Sequence, residues 1–282
     1  MSLDIRIIKN EEITKAVNQL FLKIGQTPAD DVLDAIKSAY KKESHSAAKV
    51  ALKQLIENKK ISDENDTPYC QDTGMAIVFL DIGNRVIVDG DIDDAINIGV
   101  RKAYEDGYFR KSVLDPLSRS NTNDNTPAII HKDIVDGDKI KISVMAKGFG
   151  SENMSTLKML KPSDGVSGIK DFVVKTVREA GGSPCPPVVL GIGIGGTMEK
   201  AALMSKKQLL KDLNEINEDE ELKALENELL ALVNGQKMGA MGFRGDTYCL
   251  GVKIAKFPTH LAGLPVAISV NCHASRHEWV EI

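Results

Sequence analysis

The chain has 282 residues, with 36 Lys and Arg against 40 Asp and Glu, giving a formal charge of −4. A hydrophobic share of 42% is enough to bury a sizeable core and excludes disorder as the main state, while the slightly acidic balance argues against a nucleic-acid binder. No apolar stretch approaches the roughly 20 residues of a membrane helix, and MSLDIRIIKNEEITK at the N-terminus has no apolar leader segment. The expectation is a cytoplasmic chain with no membrane and no nucleic-acid partner.

The first sixty residues read as helices. Thr27-Pro28 looks like a helix start, with Thr27 as N-cap and Pro28 at the first helical position. Val32, Leu33, Ile36, Ala39 and Tyr40 then recur at helical spacing, and a second amphipathic run covers 46–57. Residues 61–67 are polar and read as a loop. The texture changes at Tyr69. Residues 75–82 predict a strand followed by a turn at Asn84-Arg85, and 93–104 predict a helix. Two strands are expected around the turn Asp136-Gly137-Asp138. A helix is expected over 169–180, stopped by Gly181-Gly182, and a strand over 188–192. Residues 205–233 read as acidic and helical, with Leu222, Leu225, Leu229 and Leu232 on one face and Gly235 as the stop. Such a face most often packs on its own core. Strands over 248–254 and 265–270 complete a mixed α/β chain: a mainly helical N-terminal part, 1–66, then a mixed sheet with flanking helices and long polar loops. With no repeat and no obvious linker, residues 1–282 read as a single domain.

Four stretches concentrate polar residues and glycine: PYCQDTG at 68–74, RSNTNDNTP at 119–127, KGFGSEN at 147–153 and NCHASRH at 271–277. Any one can be turn chemistry. Four together point to a polar pocket on loops. Arg110, Arg119, Lys147 and Arg276 are candidate carboxylate anchors, and His260 and His273 are candidate acids or bases. The four cysteines, Cys70, Cys185, Cys249 and Cys272, contain no C-x-x-C pair, so spacing signals neither a zinc ribbon nor a ferredoxin-type cluster. Gly191, Gly193 and Gly196 fit G-x-G-x-x-G, and Asp212 falls about 20 residues on. Yet Asp212 lies in a helical run and not at the end of a second strand, so a dinucleotide-binding unit is not expected. The glycines are free to bring backbone close to a ligand or cluster, and the helix start after them to hold an anion.

PYCQDTGMAIVFLDIG, DPLSRSNTNDNTPAIIH, MAKGFGSENMSTLKML, SPCPPVVLGIGIGGTMEKA and FPTHLAGLPVAISVNCHASRH, in that order, resemble the class I, iron–sulfur-dependent fumarate hydratases. The L-tartrate dehydratase α subunit belongs to the same family. The resemblance implies a [4Fe–4S] cluster held by Cys70, Cys185 and Cys272, with one iron lacking a protein ligand; Cys249 lies outside the motifs. It implies reversible hydration of fumarate to L-malate, with Asp72 a candidate acid/base and His260 a pocket histidine. Gln71, Arg110, Lys147, Gly148, Gly150, Ser151, Glu152 and Asn153 are implied at the small dicarboxylate substrate. Phe149 departs from the frequent KGGGS of the family. The chain length suits the α subunit of a two-subunit enzyme, so a β subunit, and with it a hetero-oligomer, is expected. The alternatives are an L-tartrate dehydratase α subunit, a non-catalytic iron–sulfur redox subunit and a zinc-stabilised assembly subunit.

Overall fold

The computed structural model describes residues 5–282; Met1–Asp4, at the head of the segment read as lacking a leader, lie outside them. The fold is mixed α/β. Its contacts divide it into two compact units: one holds the described residues up to Ala29, Lys59–Gly148 and Arg276–Ile282, the other Asp30–Asn58 and Phe149–Ser275.

The first unit is built on a four-stranded sheet. Strands β2 (Met75–Gly83), β4 (Ile129–Val135), β5 (Ile140–Lys147) and β10 (His277–Glu281) lie in the order β10-β5-β2-β4, with β2 and β4 parallel and the other pairs antiparallel. A short parallel pair joins β1 (Arg6–Lys9) to β3 (Val86–Asp89). Side chains alternate across a strand. Ala76, Val78 and Leu80 of β2 and Ile140, Ile142, Val144 and Ala146 of β5 therefore share one face, and that face forms a single core with helices α1 (Asn10–Gln26) and α4 (Ile92–Asp106). Asp91 caps α4 by accepting from the Asp93 and Asp94 amides. The helices approach closely at Gly99, where a Cβ would stand 2.8 Å from the Thr14 carbonyl oxygen.

The expected strands on either side of 136–138 both form, but they are not neighbours: β2 lies between them. The turn crosses over the end of β2. There the Gly83 amide donates to the Lys139 carbonyl and the Asn84 amide to the Val135 carbonyl, at 2.8 Å each. A Cβ on Gly83 would lie 2.6 Å from Gly137 backbone.

In the second unit, β6 (Thr156–Leu160), β7 (Val188–Gly195), β8 (Cys249–Phe257) and β9 (Leu264–Asn271) lie in the order β6-β9-β7-β8, with β7 and β8 parallel. Val188, Leu190, Ile192 and Ile194 join a core with Ile169, Val173 and Val177 of α6 (Gly165–Ala180) and with Leu222, Leu225, Leu229 and Val233 of α8 (Glu220–Asn234). Three of the four leucines of the expected face thus pack on the chain's own core, and the fourth, Leu232, is exposed. Gly191 and Gly193 alternate with those apolar residues and face α7 (Met198–Gln208), where added Cβ atoms would lie 2.2 Å from the Ser205 oxygen and 2.1 Å from the Ala201 oxygen. The first two glycines of the G-x-G-x-x-G stretch therefore serve helix-on-strand packing. The start of α7 is taken by its own Glu199, whose carboxylate accepts from the Thr197 hydroxyl at 2.5 Å.

Several boundaries differ from the sequence reading. Thr27 ends α1 with extended backbone and does not start the next helix; α2 (Asp30–Lys42) opens on two acidic residues. Helix α3 (Ser46–Asn65) runs through most of the expected 61–67 loop, since no breaker intervenes before Pro68. Lys59–Asp63 and Lys60–Glu64 pairs support it, and the buried Ser62 hydroxyl sits 2.7 Å from the Gln26 carbonyl. The 205–233 run breaks into α7 and α8. Asp212 accepts from the Asn214 amide at 2.7 Å and Asn217 from the Asp219 amide at 3.1 Å, local bonds that compete with helix.

Gly193→Ala should destabilise the chain by about 3 kcal/mol or more, because the new methyl meets helix backbone and not a movable side chain. Urea denaturation measures this; a change below about 1 kcal/mol would show that α7 shifts freely from β7.

Candidate active site

In the first unit, the segment before β2 is a turn whose polar atoms are almost all engaged. The Gly74 amide donates to Asp72 Oδ1 at 3.0 Å, closing an Asx turn. Gly74 sits at φ +83, and a Cβ there would lie 2.8 Å from the backbone of Ala146 and Lys147, so only glycine fits. The three carbonyls of 72–74 all point at buried donors. Arg276 Nη2 donates to the Asp72 oxygen at 2.7 Å. Tyr104 Oη lies 2.9 Å from the Thr73 oxygen and 2.8 Å from the Gly74 oxygen. Asn125 Nδ2 donates to the Gly74 oxygen at 3.2 Å. The Thr73 hydroxyl donates to the Arg110 carbonyl at 2.7 Å, and the Tyr69 amide to the Gly25 carbonyl at 3.0 Å.

The donors are themselves fixed. Tyr104 is 1% exposed and packs edge-on against Phe109 with ring centroids 5.5 Å apart. Burial pushes its phenol well above the ordinary tyrosine range, with Arg276 opposing the rise and Asp72 adding to it, so it stays a neutral donor. Asn125 is wholly buried and accepts from the Ser112 amide at 2.7 Å. Asp124, beside it, accepts from the Thr126 amide at 3.0 Å, the Thr126 hydroxyl at 2.8 Å and Arg101 Nε at 2.9 Å. Asn125, braced by this local network, thus supports the 72–74 turn, while Arg119, Ser120, Asn121, Thr122 and Asn123 are exposed. Arg119 stands in a left-handed turn within it.

The first unit also gathers Lys147 and Gly148 beside Asp72. Lys147 is 1% exposed, its Nζ donating to the Gly148 carbonyl at 3.1 Å. A Cβ on Gly148 would lie 3.2 Å from Asp72 Oδ2 and 3.8 Å from Arg276 Nη2, so acid and guanidinium flank this one glycine. Cys70 is half-buried, and Gln71 and Arg110 are exposed.

In the second unit, Cys185 is exposed and held at φ +51, a left-handed conformation that costs a non-glycine residue energy. Its amide donates to the Gly182 carbonyl at 3.2 Å, while its own carbonyl lies 3.0 Å from His273 Nδ1. The structure thus brings Cys185 against the Cys272-His273 segment, with Cys272 half-buried. Helix α5 (Phe149–Glu152) replaces part of the expected KGFGSEN loop. Ser151 in it is buried, and Glu152 accepts from Lys206 Nζ at 2.6 Å. Gly150 and Asn153 are exposed. His260 lies on an exposed loop between β8 and β9; its Nδ1 accepts from the Ala262 amide at 3.2 Å, which leaves Nε2 as the donor of a neutral ring.

Cys249 differs from the other three cysteines. It is 1% exposed within the β8 core, its Sγ is 3.2 Å from the Gly251 carbonyl, and burial pushes its thiol up to about 12. A thiol kept protonated is a poor metal ligand. Cys70, Cys185 and Cys272, each with some exposure, fit a thiolate-held group; Cys249 does not. Among the described residues no His, Cys, Asp or Glu group of three or more is arranged to hold a single metal ion. An iron–sulfur cube takes one thiolate per iron, so its ligands stand farther apart than those of one ion.

A family model described as fumarate hydratase matches residues 14–281. The chain is 46% identical over 272 residues to the "Putative L(+)-tartrate dehydratase subunit alpha" of Methanocaldococcus jannaschii, covering 94% of this chain and 95% of that one. It is 28% identical over 269 residues to the L(+)-tartrate dehydratase subunit alpha of Escherichia coli K12, covering 94% and 89%. These matches place the chain among the hydro-lyases, enzymes that add water to a carbon–carbon double bond or remove it. The protein belongs to the class I fumarate hydratase family. No helix among the described residues is long and apolar enough to cross a membrane.

Tyr104 and Asn125 were not legible as site supports in the sequence, where they read as a helix residue and a turn residue. Arg276 was legible as a cation but not as a buried one.

Asp124 gives a pH-dependent prediction. Burial alone would raise its carboxyl, but the Thr126 bonds and Arg101 outweigh this and bring it from 3.8 down to about 2. A depressed carboxyl stabilises the fold above its unfolded value and loses that contribution as pH falls through the folded one. Asp124→Asn should therefore cost about 1 kcal/mol at pH 7, after allowance for partial exposure. The deficit should shrink between about pH 4 and pH 2. Urea melts across that range test it; a deficit that stays constant to pH 2 would contradict the ionic origin.

Proposed function

We propose that the protein is the α subunit of a class I fumarate hydratase, acting with a separate β subunit in the cytoplasm on the reversible hydration of fumarate to L-malate. The observation that carries this reading is the fixed Asp72 turn lying against Lys147 and Gly148, in a chain whose family is one of hydro-lyases. Cys70, Cys185 and Cys272 would hold a [4Fe–4S] cluster, and Cys249 would remain outside it. With one iron lacking a protein ligand, such a cluster supplies Lewis acidity toward a hydroxyl and a carboxylate.

The chain's own groups carry the rest. In the dehydrating direction a base takes the proton from the carbon beside one carboxylate, and the hydroxyl on the neighbouring carbon leaves as water after gaining a proton. Asp72 is the proposed acid/base, since a carboxylate on an immobile turn can be kept within hydrogen-bond reach of one carbon. Arg110 and Lys147 supply positive charge toward the substrate carboxylates, where negative charge builds as the proton departs. Gln71, Gly148, Gly150, Ser151, Glu152 and Asn153 line the substrate in this reading, with Glu152 paired to Lys206 and thus positioned. His260 is the proposed pocket histidine, with Nε2–H as a hydrogen-bond donor.

The names of the relatives support a second reading, an L-tartrate dehydratase α subunit. L-malate and L-tartrate are both four-carbon dicarboxylates bearing a hydroxyl, so the same residues serve either. The names likewise support a β-subunit partner.

Anaerobic co-expression with the β subunit and steady-state assay on fumarate, L-malate and L-tartrate test the proposal. Hydration of fumarate with the larger kcat/KM is expected; turnover of tartrate alone would transfer the assignment to the second reading, and turnover of none would end both. Asp72→Asn should keep iron and sulfide while losing kcat by about 10²–10⁴-fold. Cys185→Ser should lose the cluster and Cys249→Ser should retain it; the reverse pattern would overturn the ligand set.

A further inference from the structure

We propose that Arg276 is a positioning residue that holds the 72–74 turn and, through it, the Asp72 carboxylate. The inference rests on the reading of Asp72 as the group that moves the proton.

Among the described residues, Arg276 heads the largest fully buried side chains, at 1% exposed. Its backbone is anchored at the edge of the first unit's sheet. The Ala146 amide donates to its carbonyl at 3.1 Å, and the next residue, His277, opens β10 in register with Met145 of β5. From there the guanidinium reaches 204 residues back in sequence to the Asp72 carbonyl. Nη2 is its one bonded nitrogen among the described residues; Nε and Nη1 are buried without a partner.

A single bond to a neutral carbonyl does not offset the burial of a full positive charge. A chain that needed only a donor for the Asp72 oxygen could use an amide or hydroxyl, as it does at Thr73 and Gly74. The charge is therefore matched to something else nearby. The Asp72 carboxylate is that partner on geometry, since Oδ2 and Nη2 both lie within 3.8 Å of the one point where a Cβ on Gly148 would stand. Arg276 then acts twice on one residue: the hydrogen bond fixes the 72–73 peptide, and the charge gives the carboxylate a fixed cationic neighbour. The planar fork matters because its rigid plane sets direction as well as charge.

Removing the guanidinium should leave the dicarboxylate contacts in place but let the acid wander. In the anaerobic αβ enzyme, Arg276→Met should lower kcat about 10–100-fold with KM within about threefold and with iron and sulfide unchanged. Arg276→Lys, which keeps the charge without the fork, should fall between it and wild type. The double variant Asp72→Asn/Arg276→Met should be no slower than Asp72→Asn alone, since two residues acting as one unit are not additive. In the full α chain without cofactor, amide exchange over 71–75 should rise about tenfold in Arg276→Met while the second unit's exchange stays constant.

Full turnover in Arg276→Met beside an impaired Asp72→Asn would overturn the inference alone. Multiplicative losses in the double variant would also overturn it, by making Arg276 independent of Asp72. Full turnover in Asp72→Asn would overturn the reading on which the inference rests. Should Arg276→Met fail to fold, Arg276→Lys decides: wild-type kcat and wild-type exchange over 71–75 overturn the proposal, and a lowered kcat at unchanged KM and melting temperature supports it.

Discussion

Three successive carbonyl oxygens, those of Asp72, Thr73 and Gly74, are turned away from water and onto buried side-chain donors. Unpaired buried carbonyls are costly, so each donor is a requirement of the fold. Arg276, Tyr104 and Asn125 come from a strand entrance, a helix end and a polar loop, and they meet because the sheet of the first unit brings those three places to one turn. The result is backbone that cannot easily rotate, carrying a carboxylate beside a glycine, a lysine and an arginine. A turn of ordinary composition would have its carbonyls in solvent and its acid free among several directions. Rigidity here originates in the core and is delivered at Gln71 and Asp72, directly after the half-buried Cys70.

The second unit relies on glycine in a comparable way. In V-V-L-G-I-G-I-G every second residue from Val188 is branched and apolar, and the intervening Gly191 and Gly193 give α7 a bare strand to lie on. Helix backbone so close to a would-be methyl leaves no alternative residue. The same spacing in a dinucleotide-binding protein belongs to a loop that meets pyrophosphate. Here all of Val188–Gly195 is strand, and the two uses of glycine separate on secondary structure.

Much of this is readable in the sequence. The strands at β2, β5, β7, β8 and β9 and the helices α4, α6 and α8 are marked by apolar periodicity and by Gly or Asp at their ends. Leu222, Leu225 and Leu229 of α8 belong to the core, as their spacing implies, whereas Leu232 is exposed and Val233 is buried next to it. What periodicity does not carry is pairing at a distance. Short polar edge strands such as β1 and β10 gain their identity from a partner, and the place of β2 between β4 and β5 depends on a glycine that lets a turn pass over it. The site divides in the same way. Motifs pick out Asp72, Lys147, Gly148 and the cysteines. They are silent on Tyr104 and Asn125, whose role is to donate to carbonyls 30 and 51 positions away. Burial sets Cys249 apart from the other thiols, as its place outside the motifs does.

A turn held by so many buried donors should be in place before substrate arrives. The most direct measurement is a pair of anaerobic crystal structures of the αβ enzyme, with and without a bound four-carbon dicarboxylate. Backbone 72–74 is expected to superpose within about 0.5 Å in the two, with Asp72 in hydrogen-bond reach of the ligand in the second. A turn that reorganises on binding, or an Asp72 carboxylate directed away from the ligand, would contradict it.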